Sequence, residues 1–401
     1  MKIAFIVPLF PKLSETFILS QITGLLDRGH DVDIFAKRPG EELVIHPDVE
    51  KYKLLDRTHY MEIPSNKFLR SLKGLGLIVT NFPKSPKTIL KSLNIFKYGK
   101  TALSLNLLYT TVPFLNYDII HCHFGTIGNW AVTLKKLGIK AKLVVTFHGY
   151  DTRLGIEKGG DIYHNLFKEG DCFIAISAYN YKSLINFGLD QRKIIYHPVG
   201  IDINQFSFRY QSESSRDNMC IKVITVARLV KEKGLQYGIR AVYKLLQQNP
   251  RLNLKYNIIG EGPLREDLTG LIRELKLSKV VHLLGPQGQK HVIKMLQESH
   301  IFLLPSIAEA LPVVLMESQA VGLPVIATAV GSVDQIVLNK KSGFIVPPRD
   351  VDALADKLKY LIEHPERWSE MGRIGRKYVE ENFDINKLNN QLVKIYQQLL
   401  N

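Results

Sequence analysis

Short apolar, β-branched runs recur along this chain, with helical patterns between several of them. KIAFIV, DVDIFA, DIIHCH, KLVVTF, DCFIAI and KIIYH read as short buried strands, and TFILSQITGLLDRG and AYNYKSLINFG as intervening helices. The polar segment QSESSRDNM, residues 211–219, breaks the pattern. It restarts with IKVITVA, LKYNII, VVHLLG, HIFLLP and PVIATA, and helical stretches such as YGIRAVYKLLQQ and PLREDLTGLIRELK follow the first four. Strand–helix–strand order implies parallel sheets covered by helices. A length of 401 residues suits two domains. The expected fold class is α/β: two doubly wound Rossmann-like domains facing across a cleft, with their boundary near residues 200–219. Helices close the chain from Val351 onward. In such sheets ligands bind beyond the carboxyl ends of the strands, so residues just after strands carry the functional information.

Composition excludes several classes. At 45% hydrophobic and 23% charged residues the chain is ordinary for a soluble globular protein. Cys122, Cys172 and Cys220 share no metal-ligand spacing and form no disulfide framework, which fits a reducing cytosol. His121-Cys122-His123 superficially suggests a metal site, but a strand end with alternating side chains explains it. The start, MKIAFIVPLF, reads as a first strand, since it lacks a small-residue cleavage site. No apolar run reaches the roughly 20 residues that span a bilayer.

The net charge of +15 is unevenly placed. From Ile63 to Tyr117 there are Lys67, Arg70, Lys73, Lys84, Lys87, Lys91, Lys97 and Lys100, and no acid. Leu, Ile and Phe interleave them. Basic amphipathic helices of this kind lie on anionic membrane surfaces, or simply present solvated faces. Residues 63–117 are therefore one expected membrane contact. No nucleic-acid motif accompanies them, and nucleic acid is not expected as a partner.

Candidate site residues follow the strands. After IKVITVA come Arg228 and Lys233, two cations near a helix start, suited to a diphosphate or else solvated surface charges. After LKYNII come Gly260-Glu261-Gly262-Pro263, which permit a tight turn and close backbone approach to a ligand. The dinucleotide pattern G-x-G-x-x-G fails at Arg265. After KLVVTF stand His148-Gly149-Tyr150-Asp151, either cleft-facing or a structural turn. After the first strand, Ser14, Glu15 and Thr16 open a helix, with Ser14 also suited to an N-cap. Two Asp-x-Asp pairs do not follow strands into a cleft. Asp31 and Asp33 enter a strand, while Asp350 and Asp352 read as an N-cap and a first-turn acid. No catalytic metal is expected.

After HIFLLP comes IAEALPVVLMES, with Glu309 and Glu317. Proline belongs in a first turn, so a helix starts near Pro312, and Gly322 ends it. Glu309 then lies in the preceding loop and Glu317 in the second turn. Eight residues at helical rise separate them by roughly 12 Å, whereas glycosidase acids flank one bond at roughly 5 to 10 Å. The two acids read as separate contacts to one elongated ligand.

Together these residues resemble the retaining glycosyltransferases of family 4, which have the two-domain GT-B fold. The resemblance runs over essentially the whole chain. Glu309 and Glu317 match the E-x7-E signature, and ARLVKEKG matches the diphosphate-binding pair. HPVGIDINQF, GLPVIATAVGS, KSGFIVPPRD and the ending SEMGRIGRKYVEENFDINKLNNQLVKIYQQLL match flanking patterns. FPKLSETFI, HCHFG and TFHGYD resemble a subgroup that builds exopolysaccharides of the colanic-acid type. The frequent G-G-x-P-E segment reads here Gly331-Ser332-Val333-Asp334-Gln335, and PLFPKLSETF replaces a glycine-rich first loop.

The resemblance implies a retaining, metal-independent hexosyltransferase without a cofactor. Its co-substrate would be a nucleotide-diphosphate sugar, and its acceptor a lipid-linked or growing glycan. Arg228, Lys233 and the amides near Leu311, Pro312 and Val313 would hold the diphosphate. Glu317 would hold the ribose, and Gly260, Gly285 and Gln287 would border the base. Glu309 and His148 would face the transferred sugar, with Ser14, Glu15, Thr16 and Asp151 on the acceptor side. The implied domains are residues 1–204, completed by a C-terminal helix at 383–401, and residues 205–382. The implied setting is bacterial exopolysaccharide or capsule assembly, at the inner face of the cell membrane. A sugar-nucleotide epimerase of similar fold and a non-catalytic glycan-binding protein are the alternatives.

Overall fold

The computed structural model describes residues 1–12, 15–40, 45–208 and 220–401. It divides into two units, Met1–Pro198 with Asn386–Asn401, and Val199–Ile385. The division predicted at 204/205 falls at 198/199, and the return predicted at 382/383 falls at 385/386.

The first unit is built on a seven-stranded sheet. Its strands are β1 (Lys2–Phe10), β2 (Asp31–Pro39), β3 (Thr58–Tyr60), β4 (Ile119–His123), β5 (Lys142–Phe147), β6 (Cys172–Ala175) and β7 (Ile194–Tyr196). They run in the order β3-β2-β1-β4-β5-β6-β7, and every pairing is parallel. The predicted strands correspond to β1, β2 and β4 to β7. The three-residue edge strand β3 was not predicted. One face packs Ile120, Cys122, Val145 and Phe173 under helix Gly125–Leu137. The other packs Ile3, Phe5, Val144 and Ile174 with helix Thr16–Asp27. The C-terminal helix Ile385–Leu400 joins this second face through Leu392, Ile395 and Tyr396. Asn389 donates to the Ser20 carbonyl at 3.0 Å, fixing the helix against Thr16–Asp27.

The second unit has β8 (Ile221–Val226), β9 (Leu254–Ile259), β10 (Val281–Leu283), β11 (Ile301–Leu304), β12 (Val325–Thr328) and β13 (Gly343–Val346). The order is β10-β9-β8-β11-β12-β13, again all parallel. Strand β13 was not predicted: GFIV lies between Ser342 and Pro347-Pro348 and opens on a glycine, so the run reads as loop. Chain direction across the sheet reverses at β1/β4 in the first unit and at β8/β11 in the second. These are the topological switch points at which open α/β sheets bind ligands.

The Asp-x-Asp pairs have structural partners. Asp31 pairs with Arg57 at 2.9 Å, and Asp33 accepts from the Tyr117 hydroxyl at 2.5 Å. Asp350 caps helix Val351–Glu363 by accepting from the Ala353 amide at 2.8 Å. Among the described residues, no three His, Cys, Asp or Glu side chains gather as a metal ion would require. Among them, too, no helix is long and apolar enough to cross a membrane.

Candidate active site

The loops that leave β8 and β11 are stitched together. The amides of Ile307 and Ala308 both donate to the Glu232 carbonyl, at 2.8 and 3.2 Å. This brings Lys233 to Glu309: Nζ lies 2.5 Å from Oε1, and the Glu309 side chain is only 8% exposed. Ser306 Oγ donates to the same oxygen at 2.7 Å, and Thr328 Oγ1 in turn donates to the Ser306 carbonyl. The sequence placed Lys233 beside Arg228. The structure instead pairs it with Glu309 and leaves Arg228 exposed, with no ion pair among the described residues. Gly331 closes over this loop at φ +58°, where a Cβ would sit 2.0 Å from the Glu309 carbonyl oxygen.

Helix Val313–Ala320 starts beside Glu309, with Pro312 at its N-cap. Pro312 was expected among the diphosphate contacts, but it has no amide hydrogen to donate. The donors in this turn are the amides of Leu311, Val313 and Val314, which bond to no acceptor among the described residues. Unpaired amides at a helix start, on the positive end of its dipole, suit an anion. Glu317 lies in the second turn and is partly buried, with no hydrogen bond or ion pair to its carboxylate among the described residues. Burial pushes its carboxyl up to about 7. The helix is held from behind by Glu366–Asn382, whose Gly372 and Gly375 press on Gly322 and Gln319. Among the described residues Glu309 and Glu317 have no partner in common, which fits two contacts better than one acid–base dyad.

The β8, β9 and β10 loops are bonded to one another. Gly260 has φ +140°, and a Cβ there would lie 1.9 Å from the Ala227 carbonyl oxygen. Its missing side chain admits the neighbouring Arg228 loop, and Leu229 donates to the Glu261 carbonyl at 2.8 Å. The Gly285 carbonyl accepts from the Gly260 amide at 3.0 Å. Gln287 is turned inward to the Leu284 carbonyl, also at 3.0 Å.

In the first unit, β4 turns both His121 and His123 to one face and Cys122 to the other. All three are fully buried. The imidazoles of His121, His123 and His148 form a row, with centroids 4.6 and 5.5 Å apart. His121 bonds to Tyr396 at 2.6 Å and to Thr146 at 2.7 Å, and His123 Nδ1 lies 3.2 Å from His148 Nε2. Burial lowers all three pKa values, with His121 and His148 at about 3, so the row is neutral at physiological pH.

Asp151, expected on the acceptor side, is fully enclosed. Its two oxygens accept from the Gly125 amide at 2.8 Å and the His148 amide at 2.9 Å, tying together the starts of two helices. Burial raises its carboxyl to about 7, against the lowering effect of these amides. Glu15 pairs with Lys12 at 2.6 Å, and Thr16 opens helix Thr16–Asp27. Ser14 lies outside the described residues. Sequence reading missed Ser306, Thr328 and His123 as site neighbours. No motif singles out the first two, and the third was noted only within the His-Cys-His triplet.

Comparison with known proteins adds independent findings. The sequence model of glycosyltransferase family 4 matches residues 14–205, and that of the group 1 glycosyl transferases matches residues 208–378. A putative colanic acid biosynthesis glycosyltransferase of Salmonella typhimurium is 32% identical over 424 residues, covering 100% of both chains. The amylovoran biosynthesis glycosyltransferase of Erwinia amylovora is 33% identical over 414 residues, again covering 100% of both. Among solved structures, a Rickettsia africae glycosyltransferase superposes with a TM-score of 0.71 at 21% identity, over 100% of this chain and 98% of its own. Anabaena Alr3699/HepE in complex with UDP-glucose superposes with 0.73 at 18% identity, over 99% of this chain and 100% of its own. The fold is that of the GT-B glycosyltransferases. With the E-x7-E acids and their strand-end setting in place, full-length relatives above 30% identity decide the matter: the chain belongs to the family 4 glycosyltransferases.

Proposed function

We propose that the chain transfers a hexose, with retention of anomeric configuration, from a nucleotide-diphosphate sugar to a lipid-linked or growing glycan. The setting would be exopolysaccharide or capsule assembly at the cytoplasmic membrane face. The names of the full-length relatives, both glycosyltransferases of exopolysaccharide biosynthesis, support the process. The UDP-glucose complex of the Anabaena neighbour supports the donor class. One observation carries the mechanism. Lys233, exposed Arg228 and the unpaired amides of Leu311, Val313 and Val314 all stand at the carboxyl ends of two adjacent strands. Charge develops on the diphosphate as the sugar departs. Fixed cations and dipoles stabilise it most where water is scarce, and in this reading they take the place of a metal. Glu309, held by Lys233 and Ser306, would face the transferred sugar, and Glu317 the ribose hydroxyls.

The decisive experiment is the anomeric configuration of the product by NMR. Inversion would overturn the mechanism. Activity lost to a chelator and restored by divalent cations would overturn its metal independence.

Glu317 gives a pH signature. Its folded pKa of about 7 exceeds the ordinary 4.5, so its contribution to stability is complete below 4.5 and is lost as pH rises to about 7. Ribose hydroxyls donate best to the charged carboxylate. Nucleoside-diphosphate affinity should therefore rise with pH, by at most about tenfold per unit, and level off above about 7. Calorimetry across pH checks this. Glu317→Gln should flatten the profile, and Glu317→Ala should weaken binding at every pH.

A further inference from the structure

Helix Lys67–Asn81 turns an apolar face outward. Phe68, Leu72, Leu75 and Val79 recur at spacings of four, three and four, which aligns them on one side. They are 75, 59, 59 and 65% exposed. The opposite side seats the helix. Gly74 lies against Leu105, Ile78 packs on Ile89, Leu108 and Val112, and Tyr109 donates to the Arg70 carbonyl at 2.7 Å. Lys67 and Lys73 lie on the same helix, and Lys84, Lys87, Lys91, Lys97 and Lys100 on the segments that follow it; all are exposed. None is in an ion pair among the described residues, and no acid occurs from Ile63 to Tyr117. Uncompensated cations beside an apolar ridge are complementary to a surface that is anionic outside and apolar within. That surface is a bilayer carrying acidic headgroups.

Behind the ridge the same helix walls a pocket of about 690 Å³ against the β2–β3 edge of the sheet. This volume is within the roughly 300–1,000 Å³ of small-ligand pockets. Phe35, Phe114 and Tyr117 form its buried floor, and Leu77 lines it from the helix. Exposed Lys73 and Gly76 stand on the rim, together with Glu62, the one carboxylate among the lining residues. The floor offers aromatic surface and a single hydroxyl, and that hydroxyl already donates to Asp33. A floor of this kind selects an apolar occupant, with a cation at the mouth for its charged end.

We infer that helix Lys67–Asn81 lies in the interface of an anionic bilayer with its ridge among the acyl chains, and that the pocket behind it takes the hydrocarbon chain of an anionic lipid drawn from that bilayer. The inference takes its setting, the membrane face, from the function proposed above. It adds a lipid-chain site remote from the Lys233–Glu309 chemistry.

The test uses the full chain with vesicles of phosphatidylglycerol and phosphatidylcholine, some carrying phosphatidylglycerol with a photoreactive acyl chain. Wild type should float with the anionic vesicles and not with pure phosphatidylcholine. Its cross-links should map to peptides holding Met61, Leu77 and Tyr117. Leu72→Glu with Leu75→Glu should cut flotation by about tenfold or more. Gly76→Phe fills the pocket side of the helix. A Cβ at Gly76 meets nothing within 4 Å, so this variant should fold. It should float like wild type but lose the pocket cross-links several-fold, and Thr80→Trp should do the same. Cross-links confined to the outer ridge, or unchanged in both filled variants, would overturn the pocket while leaving membrane attachment standing. Failure of wild type to float, or equal flotation on neutral vesicles, would overturn the inference as a whole. Nucleoside-diphosphate binding measured in solution reports separately on the transferase reading.

Discussion

Lys233→Ala should weaken nucleoside-diphosphate binding by roughly 10- to 100-fold. A hydrogen bond to a charged partner contributes about 1.5–3 kcal/mol, and each 1.4 kcal/mol is about tenfold in affinity. Lys233 is three-quarters or more enclosed, so little water replaces it. Its removal also strands Glu309, which keeps only the Ser306 hydroxyl on Oε1. A buried carboxylate without its cation costs stability, by roughly 1–3 kcal/mol. Lys233→Ala should therefore lower Tm as well as affinity. Adding Glu309→Gln should recover most of the Tm and none of the affinity, because the amide needs no counter-ion while the diphosphate still lacks its lysine. Glu309→Ala alone should mainly lower turnover. Calorimetry with the nucleoside diphosphate and thermal unfolding of wild type, Lys233→Ala, Glu309→Gln and the double variant complete the cycle. Unchanged affinity in Lys233→Ala would remove the proposed diphosphate site.

Gly331→Ala should be nearly as damaging, although the new methyl group touches no substrate. At φ +58° an alanine is strained by about 1–2 kcal/mol. Its Cβ would also lie 2.0 Å from the Glu309 carbonyl oxygen and 2.6 Å from its carbon. Backbone cannot rotate aside as a long side chain can, so the Glu309 loop must move. A displacement of about 1 Å at a positioned group costs on the order of 10²-fold in rate. The expected outcome is turnover down by about that factor, with nucleoside-diphosphate affinity changed much less. Gly270→Ala is the control. It sits in helix Arg265–Glu274, where a Cβ meets nothing within 4 Å. It should keep full activity and gain roughly 0.5–1 kcal/mol of stability. Equal turnover in the two variants would show that the Glu309 loop need not stay where Gly331 holds it.

Most strands were legible because each is a run of apolar, often β-branched residues, and a parallel sheet buries both faces of a strand regardless of its neighbours. Strands β3 and β13 were not, because THY is half polar and GFIV is a short apolar run between a glycine and two prolines, so neither stands out without the strand it pairs with. The strand-end positions of Arg228, Glu309 and His148 followed from local order alone. Their partners did not. Lys233 could have paired with any nearby acid, and seventy-six residues separate it from the one it meets. Asp151 looks in sequence like a cleft residue and is instead enclosed by two amides. Gly260 reads in sequence as a glycine of a tight turn, and only the structure shows the Ala227–Arg228 backbone packed where its side chain would be.

By itself, then, the sequence determined the two parallel-sheet units, the loops in which chemistry would sit, and the acid-free basic stretch. Each is a property of neighbouring residues and of spacing. Only the tertiary structure decided which charges neutralise one another, which are enclosed, and which face of helix Lys67–Asn81 is bare. Burial and pairing are set by segments far apart in the chain, and a local pattern carries no record of what will be packed against it.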